Sequence, residues 1–382
     1  MKRILIFILG LALMITGCAK PDVQTASQPQ DTIVTDSIEP ETTNEIDEEE
    51  YVRALLAVSV PATCEKYTHT NGDEIFSYTA QHMQLIHPNA SVAEKVVLDF
   101  LNRVNTARIN AESILAAAKN DYTDDGTWHP YSYQVLYSPT RIDYGVLSLY
   151  GVQNSFSGGM HGNRSSVAIN YDLMTGDILT LGSIMHADAK KEDFINLVND
   201  KLKAMKDEYQ LYDHYKDGVT DRLGGDENLY EDFFFTSTGL NFFFSPYEIA
   251  PYSSGIITVE IPYSELPGLI YDGYFPEERQ VINGKMLTST FDISSAEMFN
   301  NMAEVNLAPE GSAYVIYPEG EVENIQVHVA GDMMNVPDYT VFAAHEMSGK
   351  DAVVINLTDD LISRISVSYA VNNDIITIPL SG

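Results

Sequence analysis

The chain has 382 residues, of which 45% are hydrophobic and 20% charged, enough for two or three packed cores at roughly 150 residues per domain. Its 55 acidic side chains against 22 basic ones leave a formal charge of -33, which repels phosphate backbones and excludes nucleic acid as a partner, while a cationic protein is the natural complement. Two cysteines exclude a disulfide framework and a cysteine zinc site.

Lys2 and Arg3 precede an apolar run from Ile4 to Ile15 that is too short to span a bilayer comfortably. The run ends in Ile15-Thr16-Gly17-Cys18, which resembles a bacterial lipobox. That resemblance implies a signal peptide over residues 1–17, lipidation of Cys18, and anchoring on the extracytoplasmic face of the cell membrane. An ordinary secretory signal beside a chance cysteine is the alternative. With Cys18 lipidated, Cys64 has no disulfide partner and is expected to be a buried, inert thiol. Residues 18–50 lack aromatics and end in Asp47-Glu48-Glu49-Glu50, the composition of an acidic disordered tether.

Residues 51–278 read as one α+β body, with residues 51–140 its N-terminal part and 141–278 its C-terminal part. A long helix is expected after a capping box at Ser91-Val92-Ala93-Glu94, with Val92, Val96, Phe100, Val104, Ala107, Ala111, Leu115 and Ala118 on one face. Strands follow at Ser132 to Tyr137 and Tyr144 to Tyr150, with Ser138-Pro139-Thr140 as the turn between them. Further strands are predicted at Ser165 to Tyr171 and Ile178 to Leu181, joined through Met174-Thr175-Gly176-Asp177. A second amphipathic helix runs from about Asp188 to Tyr209, with Phe194, Val198, Leu202 and Met205 on one face. Asp221 to Asn228 reads as a solvated acidic turn, and Phe233 to Thr236, Leu240 to Phe244 and Ile256 to Pro262 as strands. The fold class is therefore α+β, an antiparallel or mixed sheet with two main amphipathic helices. Residues 283–382 carry short β runs at regular spacing, from Tyr314 to Tyr317 through Ile375 to Pro379, the pattern of a small all-β, sandwich-like module.

Two segments stand out as candidate binding surface. In Phe156-Ser157-Gly158-Gly159-Met160-His161-Gly162-Asn163, three glycines around one histidine permit close backbone approach and positive φ. A tight loop between strands explains the same composition. In Phe244 to Gly255, two prolines, Tyr247, Tyr252 and Glu248 form a preset amphipathic loop of the kind binding sites use. A rigid corner feeding the next strand is the plainer explanation. The candidate binding residues are Ser157, Gly158, Gly159, His161, Gly162, Tyr247, Glu248 and Tyr252.

Ser157 to Gly162, then Asn170 to Leu181, Phe243 to Tyr252 and Ile261-Pro262-Tyr263-Ser264-Glu265-Leu266, resemble a bacterial extracytoplasmic domain family over roughly residues 60 to 270. That family is shared by the extracellular part of the anti-sigma factor RsiV and the N-terminal region of the peptidoglycan deacetylase PdaC. The resemblance implies a receptor domain for lysozyme, a strongly cationic protein. With no sigma-binding segment or membrane-spanning helix in view, binding without that signalling route is expected. The predicted function is a membrane-anchored lipoprotein that binds a cationic, lysozyme-like protein, or alternatively a scaffold that binds peptidoglycan or another cell-wall glycan.

Enzyme readings lack their parts. Thr290-Phe291-Asp292 is followed by Ile293 where a polysaccharide-deacetylase motif carries a second aspartate, and no His-x-x-x-His occurs. No nucleophile elbow, Walker loop or dinucleotide fingerprint is present. A hydrolase using His161 with Glu248 or Asp143 ranks last, and no metal or other cofactor is expected.

Overall fold

The computed structural model describes residues 55–225, 233–276, 285–292, 303–305, 312–331, 338–349, 351–355, 362–371 and 374–380. The signal peptide, Cys18 and the tether lie outside the described residues, as do positions 226–228 and Ile293. Among the described residues no helix is long and apolar enough to cross a membrane.

The body is an α+β stack centred on a five-stranded sheet of order β2-β3-β5-β6-β7. These strands are β2 (Ala62–Thr68), β3 (Glu74–Gln81), β5 (Tyr131–Ile142), β6 (Val146–Phe156) and β7 (Asn163–Asp172). Strands β3 and β5 run parallel, pairing Phe76 with Tyr131, so the chain must cross over between them. The crossover contains α1 (Ala90–Asp121), whose Val92, Val96, Phe100, Ala111 and Ala118 are buried. The helix cap is two residues earlier than the Ser91 of the expected capping box, because Asn89 accepts hydrogen bonds from the N–H groups of Ser91 and Val92.

Strand β5 does not turn at Ser138-Pro139-Thr140. It continues to Ile142, with a register irregularity between Pro139 and Arg141, and the chain reverses at Asp143-Tyr144-Gly145. A bulge tolerates proline where a regular ladder would not. The expected strand at Ile178 to Leu181 reduces to a single bridge from Ile178 to Tyr171, because Leu181 already opens the short helix α2 (Leu181–Ile184), capped by Thr180.

The other face of the sheet meets a three-stranded sheet of β8 (Phe233–Phe235), β9 (Gly239–Phe244) and β10 (Ile257–Pro262). Strand alternation assigns its phenylalanines to two cores. Phe234 and Phe243 pack with Ala168 and Tyr150 of the central sheet, whereas Phe233, Phe235, Phe242 and Phe244 join a core with helices α3 (Lys191–Ala204) and α4 (Tyr215–Gly224). Both faces of β9 are covered, and all six of its residues are buried. The two sheets are also tied by buried polar groups. Ser148 Oγ accepts from Phe235 N at 2.9 Å and donates to Asn170 Oδ1 at 2.7 Å, while Asn170 Nδ2 donates to Phe233 O at 2.8 Å. The second predicted helix is shorter than its apolar pattern, since turns replace it after Ala204, and Asp221 to Gly224 belong to α4 rather than to a solvated turn.

The C-terminal strands form a β module of two sheets. One has four strands, from β11 (Lys285–Asp292), β12 (Ala303–Val305), β13 (Ser312–Glu319) and β16 (Val353–Ile355). The other has six, in the order β18-β17-β14-β15-β1-β4, built on β14 (Val322–Gly331), β15 (Tyr339–Met347), β17 (Ile362–Val371) and β18 (Asp374–Leu380). Ile316 and Val353 of the first sheet share a core with Val322, Val327, Val341 and Phe342 of the second. Two strands come from before α1: β1 (Ala57–Ser59) pairs with β15, Ala57 opposite Ala344, and with β4 (Gln84–Ile86). Cys64, on β2 at the edge of the sheet among the described residues, is half-buried rather than buried, as are most residues of that strand that are not exposed.

Candidate functional site

Strands β6 and β7 are joined by the glycine loop, so Ser157 to Gly162 form the tip of a long hairpin. Gly158 has φ +90°, backbone that favours glycine, and a Cβ there would lie 2.8 Å from Tyr131 Oη, so a larger residue would also have to push the end of that side chain aside. Ser157, Gly159 and His161 are exposed at the tip, and Met160 is fully exposed at 101%.

The loop between β9 and β10 comes to meet this hairpin. Tyr252 Oη donates to the Gly162 carbonyl at 2.8 Å, and its ring stacks on His161 with centroids 4.5 Å apart. Tyr247 extends the row, 5.7 Å from Tyr252, and remains 60% exposed. Ser166 N donates to Ser245 Oγ at 3.1 Å, a further tie between β7 and the loop. The two segments singled out in the sequence are thus one surface, and Ser157, Gly158, Gly159, His161, Gly162, Tyr247 and Tyr252 all lie in its two loops.

His161 Nδ1 lies 2.9 Å from the Gly162 carbonyl. A carbonyl only accepts, so Nδ1 carries the proton and, in the neutral ring, Nε2 is the acceptor left for a partner. Tyr247 has φ +74°, left-handed backbone that a tyrosine rarely adopts, held by its N–H donating to Ala250 O at 3.0 Å.

Glu248 has a different part from its neighbours. Its Oε1 accepts from Arg222 Nη1 at 2.7 Å and its Oε2 from Ser245 N at 3.1 Å, so it braces the loop. Arg222, on α4, also lies over the Phe243 ring at 4.9 Å. Sequence reasoning missed Arg222, since nothing local marks a residue 26 positions away as the partner of Glu248. Neither carboxylate proposed for a hydrolase pairs with His161, as Asp143 is buried against Arg141 at 2.6 Å. Among the described residues, no group of three His, Cys, Asp or Glu side chains is placed to hold a metal ion.

The patch therefore offers two exposed anchors, Met160 and Tyr247, around a braced histidine–tyrosine stack. Its carboxylate, Glu248, is already paired with Arg222, so the patch itself presents no unpaired carboxylate from these two loops.

Residues 177–264 match the family model DUF3298, described as "Protein of unknown function". The matched segment runs from just before α2 to two residues past β10, and it contains Tyr247, Glu248, Tyr252 and Arg222, while the glycine hairpin precedes it. Two solved structures are similar to this chain. One is a member of the DUF3298 family from Bacteroides fragilis NCTC 9343, 18% identical, matching over 58% of this chain and 95% of that one with a TM-score of 0.41. The other is a DUF3298 family protein from Pseudomonas aeruginosa PAO1, 19% identical over 58% of this chain and 98% of that one, with a TM-score of 0.40. No curated protein matches the chain significantly.

Proposed function

We propose that the chain is a lipid-anchored protein of the cell envelope that captures a cationic protein, with lysozyme the specific candidate. The observation that carries this reading is the convergence of the Ser157 to Gly162 hairpin with the Tyr247 to Tyr252 loop through the His161–Tyr252 stack. An exposed tyrosine and an exposed methionine beside a preset backbone are the ingredients of an interface anchor. His161 Nε2 supplies an acceptor for an arginine or lysine of the partner. The formal charge of -33 draws a basic partner in and speeds its association. The lipobox-like Ile15-Thr16-Gly17-Cys18 supports attachment through Cys18, and the likeness to the domain of RsiV and PdaC supports lysozyme over other basic proteins.

The test is sensor binding of the chain to lysozyme at low and at physiological ionic strength. Binding that survives physiological salt and is weakened by Tyr247→Ala by about 2 kcal/mol, roughly thirty-fold, is the expected result. Binding that vanishes with salt and ignores the substitution would reduce the interaction to bulk charge and remove the patch from it.

A further inference from the structure

The hairpin patch leaves unused a cleft of about 400 Å³ between α1 and the central sheet. Helix α1 forms one wall with Asn102, Thr106 and Asn110, all exposed at the mouth, and the sheet forms the floor with Tyr133, Val135, Gln153 and Val167. Sites for small molecules commonly measure about 300–1,000 Å³ and combine an apolar floor with a few directed polar groups. This cleft lies at the small end of that range.

Its chemistry is narrow. Asp99 and Arg103 are the charged members of the lining, and they neutralise each other, with Arg103 Nε donating to Asp99 Oδ2 at 3.0 Å. The same carboxylate oxygen accepts from Tyr171 Oη at 2.8 Å. A charged ligand would meet no counter-charge there. The remaining polarity is carboxamide and hydroxyl, with Thr79, Thr106 and Tyr133 lining the cleft beside Asn102, Asn110 and Gln153. Tyr133 Oη donates to Gln153 Oε1 at 3.1 Å, which leaves Gln153 Nε2 as a donor toward the cleft. Asn110 Nδ2 donates to Tyr133 Oη at 3.4 Å, which leaves Asn110 Oδ1 as an acceptor. Asn102 adds a further amide at the mouth. Amide donors and acceptors above valine and tyrosine side chains suit a molecule with hydroxyls on its rim and C–H groups on its face. A purely apolar ligand would bury those amides unpaired and bind poorly for that reason.

We propose that the cleft between α1 and strands β5 to β7 is a binding site for a neutral saccharide of one or two rings. The site shares no residue with the hairpin patch, so it stands or falls apart from the capture of a cationic protein.

Titration calorimetry of the full chain with N,N′-diacetylchitobiose and cellobiose, with glucose 6-phosphate alongside, tests it. Saturable binding of at least one neutral disaccharide, weakened ten-fold or more by Gln153→Ala and by Asn110→Ala, is the expected result. Asn110 is exposed, so its loss leaves the core intact, and Thr106→Trp at the exposed mouth should abolish binding by filling the cleft. The proposal is overturned if neither neutral disaccharide binds, if the phosphate binds best, or if binding ignores all three substitutions.

Discussion

The imidazole of His161 lies on the phenol of Tyr252, with centroids 4.5 Å apart and planes 28° from parallel, and both residues hydrogen-bond the carbonyl of Gly162. One acceptor thereby fixes two rings from loops distant in sequence. Removing one donor separates fixation from contact area. Tyr252→Phe keeps the stack and removes a hydrogen bond worth about 1 kcal/mol. Hydrogen exchange should quicken at the hairpin tip while the strands of the central sheet stay protected. Unchanged exchange at Gly159 to Asn163 would show that the hydroxyl does not hold the tip.

Tyr247 occupies left-handed backbone at φ +74° and keeps its side chain 60% exposed, so it contributes little to the core while its backbone conformation is unfavourable. A non-glycine residue in that region costs about 1–2 kcal/mol. Tyr247→Gly should therefore leave stability unchanged or raise it by up to about 1 kcal/mol, while the proposed binding of lysozyme should weaken as predicted for Tyr247→Ala. Thermal melting checks the first half and sensor binding the second. A clear loss of stability would mean that the ring supports the fold.

His328 bridges two hydroxyls in the C-terminal module, with Thr340 Oγ1 3.1 Å from Nδ1 and Ser368 Oγ 2.7 Å from Nε2. Burial lowers its pKa below the usual value of 6.5. The unfolded chain then binds a proton at a pH where the folded chain does not, so stability is full above about pH 6.5 and falls as the pH drops toward the folded value. The slope from this one group cannot exceed about 1.4 kcal/mol per pH unit. Melting curves of wild type and His328→Gln between pH 7.5 and 5 should converge in the acid range. Parallel curves would remove His328 from the pH response.

Much of the fold is legible in the sequence where a period survives long enough to be read. The 32 residues of α1 repeat their apolar face over many turns, and Ile325 to Val329 of β14 and Ile365 to Tyr369 of β17 alternate apolar and polar side chains. Strands β1 and β4 span three residues each, too short for any period, and only pairing with β15 and with each other makes them strands. Helix α4 escaped notice because Gly218 and Thr220 interrupt an otherwise polar stretch whose apolar positions, Val219 and Leu223, make sense only beneath the three-stranded sheet. The two loops of the candidate site were visible as glycine-rich and Pro/Tyr-rich segments. Their meeting was not, since it depends on where β8 to β10 dock against the central sheet, and that docking is set by buried side-chain bonds from Ser148 and Asn170 to a distant backbone.

A buried ion pair holds the β5–β6 corner to the two turns that follow β10. Arg141 Nε donates to Asp143 Oδ2 at 2.6 Å, and its Nη1 reaches both Tyr263 Oη and the Tyr274 carbonyl at 2.6 Å. Asp143 Oδ1 in turn accepts from the N–H groups of Gly145 and Val146 at 2.9 Å, which shapes the turn itself. Burial pushes the Tyr263 hydroxyl up to about 12, so it remains a neutral partner to the guanidinium across the working pH range. Arg141 and Asp143 are 6% and 7% exposed, so removing the cation strands a carboxylate away from water. Arg141→Met should destabilise the protein by about 3–5 kcal/mol in denaturant unfolding. Adding Asp143→Asn keeps an acceptor for the turn N–H groups and removes the stranded charge, so the double variant should recover part of that loss. If the double variant is as unstable as Arg141→Met alone, the penalty lies in the lost hydrogen bonds to Tyr263 and Tyr274 and the lost packing on Phe235, rather than in the charge.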